Sequence, residues 1–195
     1  MHDPLNYRQE INRKFIHLSS SSIPFMLWYF GKDSFQPWII AIAIILPILD
    51  YGRRNNKFLY RIYSKLFTGF TRPIEQGILS GASWVIIGAA ITICIFNENS
   101  AIIGLLVLSI ADSAAAIIGI KFGKTQLFSK SLEGSAAFFI TAAIIVFTIS
   151  PVAFYINFIA VLTATVVELF ATPRINDNLL IPMVIAFILT LGGIG

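Results

Sequence analysis

The cations of this chain fall almost entirely on alternate connecting segments, and no other feature of the sequence constrains its fold as strongly. Seven apolar windows lie at about 15–31, 35–50, 77–96, 100–120, 134–149, 152–170 and 178–194. Each approaches the roughly 20 residues that cross a bilayer. Of the 14 Lys and Arg, Arg8, Arg13 and Lys14 precede the first window. Arg53, Arg54, Lys57, Arg61, Lys65 and Arg72 lie between the second and third, Lys121, Lys124 and Lys130 after the fourth, and Arg174 after the sixth. Lys32 alone falls on the other side. Basic residues stay on the cytoplasmic face, so the pattern predicts seven spans with a cytoplasmic N-terminus and an external C-terminus. Charged residues make up 12% of the chain, against about 25% in a soluble domain. The expected fold is a single all-α, polytopic membrane domain over residues 1–195, with no nucleic-acid partner.

Three local readings refine this. Ser150-Pro151 divides the charge-free stretch 134–167, which is too long for one span, at a tight turn. The segment RRNNKFLYRIYSKLFTGF places Phe58, Leu59, Ile62, Tyr63, Leu66, Phe67 and Phe70 at helical spacing, with Lys57, Arg61 and Lys65 beside them. That pattern predicts an amphipathic helix over about 54–70, lying in the interface against anionic lipid. The lone cysteine, Cys94, excludes an intrachain disulfide and a cysteine zinc site.

The unusual charges lie at one leaflet. Asp112 interrupts an apolar window about nine residues, or roughly 13 Å, from its cytoplasmic end. Glu168, Asp177 and Asn178 fall at the same level, as do Arg13, Lys14 and His17; Glu98 and Asp33 lie opposite. An acid buried in hydrocarbon costs several kcal/mol, on the order of 3 or more, unless paired or solvated. The clustering therefore predicts a cavity open to the cytosol, whereas a carrier places such groups near the midplane. Ala115, Ala116, Gly119 and Gly123 share the face of Asp112. Such a stripe suits close helix packing or the approach of a ligand. GIKFGKT is not a P-loop, having three residues where that motif has four and following a helix rather than a strand. What it retains is permissive backbone and lysines, which suit a phosphate chain.

The stretches EINRKFIHLSSSSIPF, ADSAAAIIGIKFGKTQLFSKSLEGSAAFF and VELFATPRINDNLLIPM together resemble the polyprenol kinase family, which includes dolichol kinases, phytol and farnesol kinases and CTP-dependent diacylglycerol kinases. The matching residues are Arg13, Lys14 and His17, then Asp112, Ala115, Gly119, Gly123, Lys124, Lys130, Ser131, Glu133, Gly134 and Ser135, then Glu168, Asp177, Asn178, Leu179, Ile181 and Pro182. The resemblance spans residues 10–183. The middle motif is shared in part with CDP-diacylglycerol synthases, but the later Lys-Asp, Gly-His-Gly-Gly and Asp-Arg-Asp segments of those enzymes have no counterpart here.

The resemblance implies transfer of the γ-phosphoryl of CTP to a lipid hydroxyl, giving a lipid phosphate and CDP at the cytoplasmic face of the membrane. In that reading Asp112, with Glu168 or Asp177, is catalytic and holds Mg²⁺. Arg13, Lys14, Lys124 and Lys130 clamp phosphates, Gly119 and Gly123 admit the nucleotide, and Ser131, Glu133 and Asn178 orient metal or ribose. The general base is expected among the carboxylates, with His17 as a motif member only. The alternatives are a phosphatidate cytidylyltransferase and a small membrane carrier without nucleotide chemistry.

Overall fold

The computed structural model describes residues 17–52, 56, 61, 79–128, 130–171 and 176–194. Arg13, Lys14 and all of the 54–70 segment except Asn56 and Arg61 lie outside them, as does Arg174.

The described chain is helical apart from one two-stranded hairpin. A helical turn at 17–19 leads into α1 (Ser22–Phe30), followed by α2 (Lys32–Gly52), α3 (Gly81–Ile95) and α4 (Glu98–Leu106). A π-turn (Val107–Ala111) joins α4 without a break to α5 (Asp112–Phe122). The hairpin β1 (Gln126–Leu127) and β2 (Lys130–Ser131) precedes α6 (Leu132–Ile149), α7 (Phe154–Leu169) and α8 (Asp177–Leu191). Every apolar window thus contains a helix, and α6 stops at Ser150-Pro151 as the turn residues require. Among the described residues three helices are long and apolar enough to cross a membrane: Lys32–Gly52, the continuous rod Glu98–Phe122, and Leu132–Ile149.

The boundaries follow from local chemistry. Ser80, Asn97, Ser131 and Asn176 each cap a helix by accepting a bond from a backbone N–H in the first turn, satisfying a donor the helix leaves unpaired. The loop expected between the first two windows shrinks to Gly31, whose φ of 75° allows α1 to end and α2 to begin one residue later. The run SSSS interrupts the first window. Ser20 Oγ donates to the His17 carbonyl at 2.5 Å and Ser21 Oγ to the Leu18 carbonyl at 2.7 Å. These side chains compete with the helical ladder, and 20–21 form a turn that sets His17 apart from α1.

Packing divides into two cores. Ile103, Val107, Leu108, Phe138, Val146, Val161, Ile181 and Ile185 fill one, between the long rod, α6, α7 and α8. Leu27, Ile39, Val85, Ile93 and Leu105 fill the other, where α1, α2 and α3 pack on α4. Helix α8 wedges between α3 and α4 at two glycines. A Cβ on Gly88 would overlap the Asn178 carbonyl oxygen, and one on Gly104 would stand 2.5 Å from that of Pro182. Small residues here allow the backbones to touch. The outer surface is apolar: Trp28, Trp38, Ile44, Ile48, Ile144, Phe154 and Leu191 are all exposed. A soluble protein does not present so much contiguous apolar surface, whereas lipid tails accept it without cost. The chain is a membrane protein.

Candidate functional site: an acid and lysine cluster at one end of the bundle

The hairpin places a cation among the acids. Thr125 and Leu132 close its base through a backbone bond of 2.9 Å, and Leu127 pairs with Lys130 across it. Glu133, in the first turn of α6, fastens the same base: its carboxylate accepts from the Thr125 N–H at 3.2 and 3.3 Å. Ser131 Oγ accepts from the Gly134 N–H at 3.1 Å. A Cβ on Gly119 would stand 3.0 Å from this oxygen, and one on Gly134 would stand 2.9 Å from the Ala115 carbonyl. The small-residue stripe is therefore the contact face between α5 and α6, with Ser131 seated over it.

Lys130 then reaches inward. Its Nζ lies 3.0 Å from Glu168 Oε1 and 3.2 Å from Asp177 Oδ2. Glu168, in the last turn of α7, is 1% exposed and also accepts from Ser135 Oγ at 2.9 Å. An acid at a helix C-terminus is disfavoured by the helix dipole, and the lysine offsets that. Asp177 opens α8, where the dipole favours an acid; its Oδ1 accepts from the Asn178 N–H at 3.0 Å. Burial pulls the Lys130 pKa down, but the carboxylates of Asp177, Asp112 and Glu168 pull harder and hold it above the ordinary lysine value. Lys130 is thus a fixed positive charge shared by three acids from three helices.

A second arm completes the cluster. Asp112 is 3% exposed and follows directly on the π-turn, a feature that re-aims side chains and recurs at functional sites. Its Oδ2 lies 3.6 Å from His17 Nε2, and that nitrogen lies 2.7 Å from Asn178 Oδ1. Asn178 sits on the strand of backbone that Gly88 admits to close contact.

The structure therefore brings together Asp112, Lys130, Glu168, Asp177 and Asn178 from the sequence-derived set. Ser131 and Glu133 are near but are engaged in holding the hairpin and the start of α6. Lys124 is exposed at the loop. Gly119 packs α5 against α6, and Gly123 ends α5 beneath Ser131. His17, set aside as a motif member, is the bridge between Asp112 and Asn178. Asn176, whose Oδ1 accepts from the Asn178 N–H at 3.0 Å, was passed over although an Asn before an apolar helix is a capping signal. Asp50 was also missed: buried at the end of α2, it accepts from the Ser80 N–H at 2.5 Å and Ser83 Oγ at 2.8 Å.

Among the described residues no three His, Cys, Asp or Glu side chains stand close enough to hold a metal by themselves. The donors are nevertheless carboxylate and amide oxygens. Mg²⁺ is commonly bound by one or two carboxylates, with waters and substrate phosphates completing its shell. The residues fit an ion of that kind rather than an all-protein cage.

This is a helical membrane protein with a buried cluster of three acids and a lysine at one end. Relatives place it more closely. An uncharacterised protein of Rickettsia prowazekii is 32% identical over 89% of this chain and 90% of its own length, and one of Methanocaldococcus jannaschii is 34% identical over 93% of each. The CTP-dependent diacylglycerol kinase 1 of Saccharomyces cerevisiae is 35% identical over 70% of this chain, and the dolichol kinase of Schizosaccharomyces pombe 27% identical over 87%. The chain spans about half the length of the first of these kinases (49%) and a third of the second (33%). No family model and no solved structure matches the chain. The chain belongs to the polyprenol kinase family.

Proposed function

We propose that the protein is a lipid-alcohol kinase that moves the γ-phosphoryl of CTP to the hydroxyl of a polyprenol, a phytol-like prenol or a diacylglycerol, releasing lipid phosphate and CDP. The observation that carries the proposal is Lys130, held between Glu168 and Asp177 at 3.0 and 3.2 Å beside the His17–Asp112–Asn178 arm. Phosphoryl transfer asks a protein chiefly for positioning and for neutralising phosphate charge. A lysine fixed among acids supplies positioning, and a divalent cation held by those acids would supply the neutralisation. The kinase names of the relatives favour the same reading.

In this proposal Asp112 and Asp177 hold Mg²⁺, which would neutralise charge on the phosphate chain when bound. Asp177 suits the role better than Glu168 because its side chain is more accessible, whereas Glu168 also takes a bond from Ser135. Lys130 faces the phosphates, with Lys124, Arg13 and Lys14 as further cations. The seven apolar windows act as spans and the site faces the cytoplasm, where a soluble nucleotide meets a hydroxyl at headgroup depth.

The test follows the label. Purified protein, Mg²⁺ and a panel of lipid alcohols plus phosphatidic acid are incubated with CTP labelled at the γ or at the α phosphorus. A kinase transfers the γ label to a lipid alcohol. Transfer of the α label to phosphatidic acid, with release of pyrophosphate, would instead establish the cytidylyltransferase. No transfer of either label would leave the carrier.

A further inference from the structure

The imidazole of His17 is nine-tenths buried, and its two nitrogens are not equivalent. Nε2 faces two acceptors, Asn178 Oδ1 at 2.7 Å and Asp112 Oδ2 at 3.6 Å. Both require a hydrogen on that nitrogen, so in the neutral ring the lone pair is on Nδ1. Nδ1 is buried and has no hydrogen-bond partner among the described residues. Buried polar atoms in native proteins are nearly always satisfied, and an acceptor unsatisfied among the described residues is open to a donor from a ligand.

The surroundings indicate what donor. An apolar groove of about 220 Å³ lies between α1 and α4, lined by Pro24, Phe25, Trp28, Ile102 and Leu106. These two helices continue the segments that carry His17 and Asp112. Leu106 is six residues before Asp112, roughly 9 Å along the rod. The groove thus lies deeper in the apolar layer than the polar cluster, alongside the same elements. Phosphate oxygens are acceptors and do not satisfy a lone pair, whereas an O–H does; the apolar groove beside the site favours a hydroxyl carried on an apolar chain.

Resting on the kinase reading, we propose that His17 Nδ1 is the acceptor that binds the hydroxyl of the lipid substrate, with the apolar tail directed along the groove between α1 and α4. Asn178 and Asp112 act on the substrate through His17 by fixing its tautomer and ring orientation. The ligand class is a long-chain alcohol with a free O–H.

The test does not depend on phosphoryl transfer. Affinities of geranylgeraniol and of 1,2-dioleoylglycerol are compared with those of their O-methyl ethers, using the full chain in detergent micelles without nucleotide. The wild type binds at least one alcohol about tenfold or more tightly than its ether, the scale of one net hydrogen bond. His17→Gln keeps an amide nitrogen near the Nε2 position and removes Nδ1; it binds alcohol and ether alike. Equal binding of alcohol and ether by the wild type would overturn the proposal whether or not the variant folds. So would undiminished discrimination by His17→Gln. Loss of kinase activity in the label assay with discrimination intact would instead refute the kinase reading alone.

Discussion

The two ends of the helix bundle handle polar groups in opposite ways. At the end formed by the close of α1, α3 and α8 and the start of α2 and α4, the polar side chains bond mainly to helix termini. Lys32 N–H donates to Glu98 Oε2 at 2.6 Å and Lys32 Nζ to the Phe96 carbonyl at 2.7 Å. Asn97 Nδ2 donates to the Ile194 carbonyl at 2.5 Å and to Thr190 Oγ1 at 3.1 Å. At the other end the contacts run between side chains: Lys130 with Glu168 and Asp177, His17 with Asp112 and Asn178. Capping stabilises helices and leaves no charge facing a ligand. Holding three acids and a lysine together in a partly buried site stabilises little in net terms, which favours the proposed binding role over a folding role.

Substitutions at the two ends separate these roles. The largest effect is expected for Asp112→Asn: CTP-dependent lipid phosphorylation falls by about 100-fold or more, the scale of losing one preorganised electrostatic group, while the protein still inserts and melts cooperatively. Full activity in that variant would remove Asp112 from the site. Lys130→Met leaves Glu168 and Asp177 without their cation, so thermal or denaturant unfolding should register a loss of about 3–5 kcal/mol, the cost of breaking a buried pair from one side. A melting temperature equal to the wild type would show that the pair is not formed.

Gly88→Ala acts on the site from a distance. The added methyl meets the Asn178 carbonyl and the Leu179 Cα, so α8 must shift, at a cost of about 1–3 kcal/mol. Activity should fall with Asp112, Lys130 and Asp177 all intact. Unchanged activity and stability would mean that α8 does not pack on Gly88. Asn97→Ala, at the capping end, should cost about 1 kcal/mol with kcat and KM for CTP unaltered; a changed KM would erase the contrast between the ends.

The smallest expected effect is of pH on Lys130. Its folded pKa is raised above the ordinary 10.5. The stability it contributes is therefore fully present below that value and is lost only as pH rises past the raised one. Between about pH 6 and pH 9 the Lys130 ammonium of the wild type should therefore stay protonated, read as no titration of its Nζ resonance by NMR. A titration in that range would mean that Lys130 loses its proton there and is not held by the three acids.

Much of this was legible in the sequence. The windows at 35–50, 100–120 and 134–149 correspond to the three longest apolar helices because hydrophobic length is a one-dimensional property. Asp112, Glu168 and Asp177 stood out because a carboxylate in an apolar run is costly. The contacts were not legible, since spacing along the chain does not report which rods are neighbours. Two Oγ–carbonyl bonds turn SSSS into the break that sets off His17, and the same four letters also suit an uninterrupted span. The π-turn before Asp112 has no pattern in VLSIA that distinguishes it from α-helix. Gly119 and Gly123 were read as admitting a nucleotide beside the packing alternative; the approach of Ser131, close enough to leave no room for a Cβ at Gly123, follows from the hairpin, which local sequence does not position.

The central claim is that nucleotide binds at the charged end and not at the capping end. The most direct measurement is equilibrium titration of CTP into the purified wild type, Lys130→Met and Asn97→Ala in the presence of Mg²⁺. The account predicts that Lys130→Met weakens binding by about tenfold or more, or about 1.4 kcal/mol, while Asn97→Ala binds as the wild type does. Equal affinity in all three would contradict it.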